Sequence, residues 1–350
     1  MHTRQLTAGA LLLTVSAAAP RPAAAQSPAP APAVTLGGVM WAQYAYYLTG
    51  AADGLNNFDV TRAYLTVIGR FDEFGSRVTA DVNRGADGAL GYRLKYAYVT
   101  FSPNGSPFTF KLGQMQTAWI DFEETMWDYR MQGPTVLDRG DQIAPLGYLS
   151  SSDFGAGVDG RWGGERVNGQ LAVVNGENYN RAPGDKRKDI MARVSVRLLP
   201  TDDASRVGGL RLSMYGHLGK PTGGGTRNRF VGMVSYRSRR LTLAGEVART
   251  RDSVTVGAIT PRSGQILSGF GVLRAPNSPV AFICRVDVVD PDTGTPGDRQ
   301  TRIIAGISHQ VRPNLRVLAD IDHLTYEGGA PTTALETRRS QALLQVQLTF

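Results

Sequence analysis

The sequence predicts an all-β protein, a transmembrane antiparallel β-barrel of about sixteen strands, and three observations carry that expectation. Most of the chain alternates apolar and polar residues with period two, over runs long enough to cross a lipid bilayer. No segment beyond the N-terminal leader offers the 18 or more apolar residues of a membrane helix. The leader itself reads as an export signal.

Residues 1–25 combine Arg4, an apolar run from Leu6 to Ala19, and the small-residue sequence Ala23-Ala24-Ala25. That run is shorter than the roughly 20 residues a spanning helix requires. A cleaved signal peptide is therefore expected, with Gln26 as the mature start. Residues 26–33 form a Pro/Ala-rich spacer with no capacity for regular structure. The barrel is expected to occupy 34–350.

Taken in order, strands are expected at 34–48, 58–70, 75–84, 90–102, 107–116 and 153–164. Further strands follow at 167–176, 188–199, 209–219, 227–238 and 240–250. The last five fall at 263–275, 279–290, 299–311, 314–327 and 338–350. The junctions Gly164-Glu165-Arg166, Ser238-Arg239 and Arg312-Pro313 read as tight periplasmic turns. Stretches 117–152, 176–188, 219–227, 250–263, 290–299 and 327–338 read as extracellular loops. An even strand number closes an antiparallel barrel with both ends on one side.

Individual strands show the two faces. Ala192, Val194, Val196 and Leu198 oppose Arg193, Ser195 and Arg197. Leu210, Leu212 and Met214 oppose Arg211, Ser213, Tyr215 and His217. In the last strand Ala342, Leu344, Val346, Leu348 and Phe350 share a face, with Leu343 the one apolar residue opposite. A soluble β-sandwich would also alternate, but its strands average nearer 5–6 residues. Strand length decides for the membrane barrel.

Composition excludes several other classes. The formal net charge is +8 from 38 basic and 30 acidic residues, two of the basic ones in the leader. That modest balance, with export, argues against nucleic acid as a partner. The single Cys284 rules out an intramolecular disulfide and a cysteine-built metal site. Its neighbours Phe282 and Val286 place it on the lipid side. His217, His309 and His323 show no two-ligand spacing, and no GxSxG elbow occurs. The glycine-rich GAGVDG and GGGT lack the phosphate-loop pattern. No enzyme, metal or cofactor is expected. Trp41, Tyr44, Tyr46, Tyr47, Phe101, Phe108 and Phe350 lie near strand ends and suit aromatic belts.

Several motifs resemble the phosphate-selective porin family of outer-membrane channels. They are RAYLTVIGRF at Arg62–Phe71, LKYAYVTFSP at Leu94–Pro103 and FTFKLGQMQTAWIDFEE at Phe108–Glu124, followed by LAVVNGENYN at Leu171–Asn180. The terminal VQLTF, ending on Phe350, looks like a strand read by the barrel-assembly machinery. The resemblance implies a porin in the outer membrane of a Gram-negative bacterium, bounded by lipid and lipopolysaccharide. It also implies a homotrimer, an inward-folding third loop and basic lumenal residues favouring anions. Here that loop is about 117–149, with Asp121, Glu123, Glu124, Arg130 and Arg139 as its constriction residues. The chain departs from the family in lacking a long N-terminal coiled coil. It also has an acid-rich loop and only five lysines.

A charge on the lipid face at mid-membrane costs about 2–4 kcal/mol, so mid-strand cations are expected to point inward. By that rule Arg62, Lys95, Arg161, Arg193, Arg197, Arg211, Arg285, Arg302 and Arg316 line the lumen. Lys95 is open to both readings, because Leu94, Tyr96 and Tyr98 make an equally good lipid side. Acidic partners are expected at Asp81, Asp159, Glu246, Asp287, Asp320 and Asp322. Two functions follow: a passive, mildly anion-preferring channel for small hydrophilic solutes, inorganic anions such as phosphate among them, or a plugged barrel that serves as a structural or surface-binding scaffold.

Overall fold

An open sheet edge in lipid leaves backbone N–H and C=O groups unpaired, at several kcal/mol each, so a membrane sheet has to close. The computed structural model closes it with sixteen antiparallel strands, bearing out the expected fold class. It describes residues 33–49, 52–84, 88–138, 148–182, 184–221, 225–254, 261–328 and 340–350. The signal peptide, the spacer up to residue 32, and Arg139 lie outside the described residues.

The strands are β1 (Ala33–Tyr47), β2 (Asn56–Phe71), β3 (Phe74–Arg84), β4 (Leu90–Phe101) and β5 (Phe108–Gln116). A short helix, α1 (Ile120–Trp127), precedes β6 (Ser152–Trp162), β7 (Val167–Val174) and β8 (Asp189–Leu199). Then come β9 (Gly209–Gly219), β10 (Gly225–Arg237), β11 (Leu241–Val254) and β12 (Arg262–Arg274). The circuit ends with β13 (Val280–Asp290), β14 (Gln300–Arg312), β15 (Leu315–Tyr326) and β16 (Ser340–Thr349). Each strand pairs with its sequence neighbours. β1 and β16 seal the ring, in a register running from Val39 opposite Thr349 to Tyr47 opposite Gln341. All sixteen lie where the alternation put them.

The tightest turns lie at the end of the barrel where β1 begins and β16 finishes, whereas the longest connections, β5 to β6, β7 to β8 and β15 to β16, lie at the other, loop end. Among the described residues no helix is long and apolar enough to cross a membrane.

The outer face carries the apolar half of each strand. Val194, Leu212, Met214, Val234 and Leu243 are exposed, whereas Arg193 and Arg211 between them are buried inside. Cys284 is exposed with Phe282 and Val286 on that outer face. At the turn end an aromatic belt runs along β3 to β6. Phe74 stacks on Phe101 at 5.0 Å, and Phe108 meets Trp162 edge-on at 5.6 Å. Trp41, expected in such a belt, instead points inward. It is buried, packs edge-on against Tyr64 at 5.4 Å and donates its indole N–H to Gln347 Oε1 at 3.0 Å.

A β-bulge settles the side taken by Lys95. The β3–β4 register passes from Thr79 opposite Tyr96 to Ala80 opposite Leu94, leaving Lys95 as the extra residue. An extra residue resets the alternation. Consequently Lys95 and Tyr96 both face inward, at 2% and 7% exposure, while Leu94 is on the lipid side.

Candidate functional site: the lumen and its inward loop

The connection between β5 and β6 begins and ends beside the paired residues Gln116 and Ser152, and its ends are stitched by Thr117 N–H to Ser151 O at 3.2 Å. Between them it folds into the barrel. α1 begins after Trp119, whose carbonyl accepts the Phe122 and Glu123 N–H groups, both at 2.9 Å. It stops at Asp128, which adopts a left-handed conformation (φ 62°) and returns its N–H to Glu124 O at 2.9 Å.

The helix divides its side chains between two surroundings. Ile120, Phe122, Met126 and Trp127 are fully buried against the wall. Trp119 meets Tyr215 of β9 at 5.7 Å, and Trp127 meets Phe270 of β12 edge-on at 5.2 Å. The inward faces of β10 and of β12 to β15 supply apolar partners as well, among them Met233, Ile266, Ile283, Ile304 and Leu318. Asp121 and Glu124, one turn apart, face a cavity on the opposite side.

Wall cations hold the loop by its carbonyls. Arg193 Nε donates to Ala118 O at 3.0 Å, Arg285 to Pro134 O at 3.1 Å, and Arg316 to Asp128 O at 2.9 Å. Arg229, which the sequence reading passed over, donates to Tyr148 O at 2.9 Å. Arg206 reaches Asp121 O at 2.9 Å and its Oδ2 at 2.8 Å, and Arg237 donates to Thr125 O. Cations at the last helical carbonyls are also favoured by the helix dipole. A guanidinium has five donors in a rigid fork, which suits it to satisfy backbone removed from water.

The nine expected lumenal cations therefore separate into groups. Arg62 and Lys95 stand on cavities beside the loop, and Arg302 lines the wider cavity while ion-paired with Asp322. Arg193, Arg285 and Arg316 are inward but gripped by the loop rather than set on an open passage. Arg211 is buried near the turn end, donating to Gly208 O at 2.9 Å and Ser195 Oγ at 3.2 Å. Arg197 serves the same turns, bonding to Gly208 O at 3.0 Å and Ser205 O at 2.7 Å. Arg161 is largely exposed at the rim and pairs with Glu165 at 3.6 Å.

The narrower part of the space left by the loop lies against β1 to β4, and the wider part also reaches β6, β8 to β10 and β14 to β16. A cavity of about 1010 Å³ opens at the loop end, and one of about 370 Å³ lies toward the turn end. Trp41 and Arg130 line both. Arg130 stands at the junction: it pairs with Glu124, reaches Asp138 at 3.4 Å, and lies 5.6 Å from the Trp41 ring centroid. Opposite, Lys95 Nζ donates to Tyr64 Oη at 2.8 Å, and Arg62 donates to the same oxygen at 3.1 Å. Asp81, fully buried, takes Arg62 at 3.6 Å and Arg93 at 3.1 Å. Arg77, also unanticipated, lies 4.6 Å from the Tyr96 centroid.

The loop carboxyls differ in character. Burial opposes the charge of Asp121, yet Arg206 and Lys111 hold it below the usual carboxylate range. Burial, reinforced by Glu124, pushes Asp138 up to about 6 against the pull of Arg130. Glu123 turns away from the cavities toward Glu246 and Arg285, and burial together with Glu246 raises it well above the ordinary value. Among the described residues no group of three or more His, Cys, Asp or Glu side chains is placed to hold a metal ion.

No protein-family model matches the chain, and no curated protein matches its sequence. Its architecture is similar to that of solved outer-membrane proteins. OmpF of Salmonella typhi, in complex with daunomycin, superposes with a TM-score of 0.67 at 12% identity, covering 91% of this chain and 97% of that one. OmpT of Vibrio cholerae, in a trimer form, gives 0.65 at 9% identity, covering 92% and 100%. The outer membrane channel DcaP of Acinetobacter baumannii gives 0.64 at 10% identity, covering 91% and 97%. At these identities the likeness speaks for the fold alone: a sixteen-stranded closed barrel resembling those of solved outer-membrane porins and channels, with nothing in the likeness that singles out the phosphate-selective members.

Proposed function

We propose that the chain is an outer-membrane porin of a Gram-negative cell, a passive channel for small hydrophilic solutes with a mild preference for anions. The observation that carries this reading is the pair of cavities meeting at Arg130 and Trp41, beside a loop anchored to the far wall. In the narrower cavity the cations Arg77, Lys95 and Arg130 face the carboxylates Asp121 and Glu124. A small excess of fixed positive charge between low-dielectric walls concentrates anions. Inorganic phosphate passes on this reading by size and charge, with no dedicated site.

Three partners complete the reading. The outer apolar band meets outer-membrane lipid and lipopolysaccharide; the barrel-assembly machinery reads the strand ending on Phe350; and a homotrimer is the assembly, by analogy with the trimer form described for OmpT of Vibrio cholerae. The apolar cluster beneath the loop favours one competing reading, a plugged scaffold. Conductance in a planar bilayer separates the two. Steady ohmic steps with a reversal potential on the anion side of zero are expected in a salt gradient. A folded, heat-modifiable barrel that stays silent would overturn the channel.

A further inference from the structure

The outer face of a barrel is expected to be apolar, yet β11 ends with two arginines on that face. Outward positions on this strand are the odd ones, Leu243 and Val247 among them, and Arg249 and Arg251 continue the series as exposed residues. Their cross-strand neighbours are uncharged. Arg249 stands between Phe230 and Gln265, and Arg251 between Asn228 and Ser263. Asp252 points inward and is committed to Arg229 at 2.9 Å, and among the described residues neither Arg249 nor Arg251 is joined to a carboxylate.

Their height explains how such charges are tolerated. Arg251 lies ten residues beyond Leu241, where β11 begins. At about 3.4 Å per residue and a tilt of about 40°, that is a rise of about 26 Å, against an apolar band about 25 Å tall. Arg251 therefore sits at the boundary between hydrocarbon and headgroups. Arg249, one outward position lower, reaches it by extending its side chain upward. Lys220, exposed immediately after β9, adds a third cation two strands away. Below the arginines the outer surface is hollowed by small residues. Gly245 faces Gly269 across the β11–β12 pair, and a Cβ on Gly232 or Gly245 would meet nothing within 4 Å.

We propose that Arg249 and Arg251, assisted by Lys220, seat the phosphate groups of an outer-leaflet lipid headgroup, whose acyl chains lie along the glycine-lined outer face of β10 to β12. A free anion would use the cations alone, whereas the adjacent hollow on the lipid side selects a molecule that also has chains. The proposal rests on the outer-membrane reading of the barrel, but not on its being an open channel.

The test uses the full refolded chain in detergent, titrated with bisphosphorylated lipid A and read by native mass spectrometry. Wild type is expected to retain the lipid. The double variant Arg249→Gln, Arg251→Gln is expected to weaken retention by about tenfold or more, because cations at a lipid surface supply much of the attraction for its phosphates. Dephosphorylated lipid A should bind the wild type as weakly as phosphorylated lipid A binds the double variant. Equal binding of both proteins overturns the site. Displacement of the lipid by millimolar inorganic phosphate overturns the lipid assignment in favour of a free-anion site. Heat-modifiable migration verifies folding, and Arg249→Lys, Arg251→Lys is expected to keep most of the binding. A barrel that retains the lipid but conducts nothing would overturn the channel reading and leave this one standing.

Discussion

Arg193 donates its Nε–H to the Ala118 carbonyl at 3.0 Å, and its guanidinium lies 4.3 Å from the Phe122 ring centroid. One side chain of the wall thus secures the start of the inward loop by both a hydrogen bond and a face contact. A charge-assisted bond of this kind contributes about 1.5–3 kcal/mol, and its loss leaves a buried carbonyl unsatisfied. Arg193→Gln is expected to raise open-channel current noise and to lower the temperature of the heat-modifiable transition. The reversal potential should barely change, because Arg193 lies beneath the loop. A large shift in selectivity with quiet current would place the residue on the passage instead.

The junction makes the opposite prediction. Arg130 lines both cavities and pairs with Glu124 and Asp138. Arg130→Gln removes the central cation and leaves both carboxylates uncompensated, so the reversal potential should move toward cations. Glu124→Gln should move it toward anions. A change of about twofold or more in the permeability ratio is expected for each, since a fixed charge in a narrow passage is weakly screened. Conductance in matched salt gradients checks the two signs together. Shifts of the same sign in both variants would refute the assignment.

Selectivity should also depend on pH through Asp138, whose carboxyl is pushed up to about 6. Above that value it is charged and offsets Arg130; below it the carboxyl is neutral. Lowering the pH from about 7.5 to about 5 therefore makes the junction more positive, and anion preference should rise. Asp138→Asn should show the low-pH selectivity throughout and lose this step. An undiminished step in the variant would assign the titration to another group.

The strands were legible because a membrane wall imposes period two on every segment, and turns interrupt it clearly. α1 was not, because eight residues give too little helical period and its end is marked by Asp128 rather than glycine. The side taken by Lys95 was undetermined for a different reason: a bulge shifts the alternation by one residue, and no local residue type announces it. The loop cations were misassigned in role rather than direction. Arg193, Arg285 and Arg316 do point inward, but sequence periodicity carries no information about which carbonyls they meet there. Nor did it show that Ile266, Ile283 and Ile304 also face inward, where a folded-in loop replaces water with apolar partners.

Burial of Glu123 has its own consequence. Its carboxyl is held well above the ordinary value by burial and by Glu246, against the opposing pull of Arg285 and a hydrogen bond from Thr135. A carboxyl whose folded-state value is raised is most compatible with the fold when neutral. Its contribution is complete below about 4.5 and is lost as the pH rises through the folded-state value. The loop should therefore loosen with rising pH, seen as faster proteolysis or more frequent closures. Glu123→Gln should abolish that dependence and leave the loop tight at alkaline pH. Equal pH dependence in the variant would locate the effect elsewhere.

The seam between β1 and β16 depends on a glycine. Phe350 N–H donates to Gly38 O at 3.0 Å, Gly38 N–H donates to Phe350 O at 2.7 Å, and the Phe350 ring covers the bare Cα of Gly38. A Cβ there would come within 2.6 Å of Tyr64 O and 2.8 Å of the ring atom Cε2. The ring can swing aside, but the carbonyl belongs to the β1–β2 ladder and cannot. Gly38→Val should therefore strain both partners of β1 at once, by about 1–3 kcal/mol. The heat-modifiable transition should fall in temperature, and refolding yield should fall with it. Phe350→Ala removes the ring but keeps the backbone bonds, so in that background Gly38→Ala should be better tolerated than alone. Equal penalties in the two backgrounds would show that the carbonyl alone, and not the ring, demands glycine at this position.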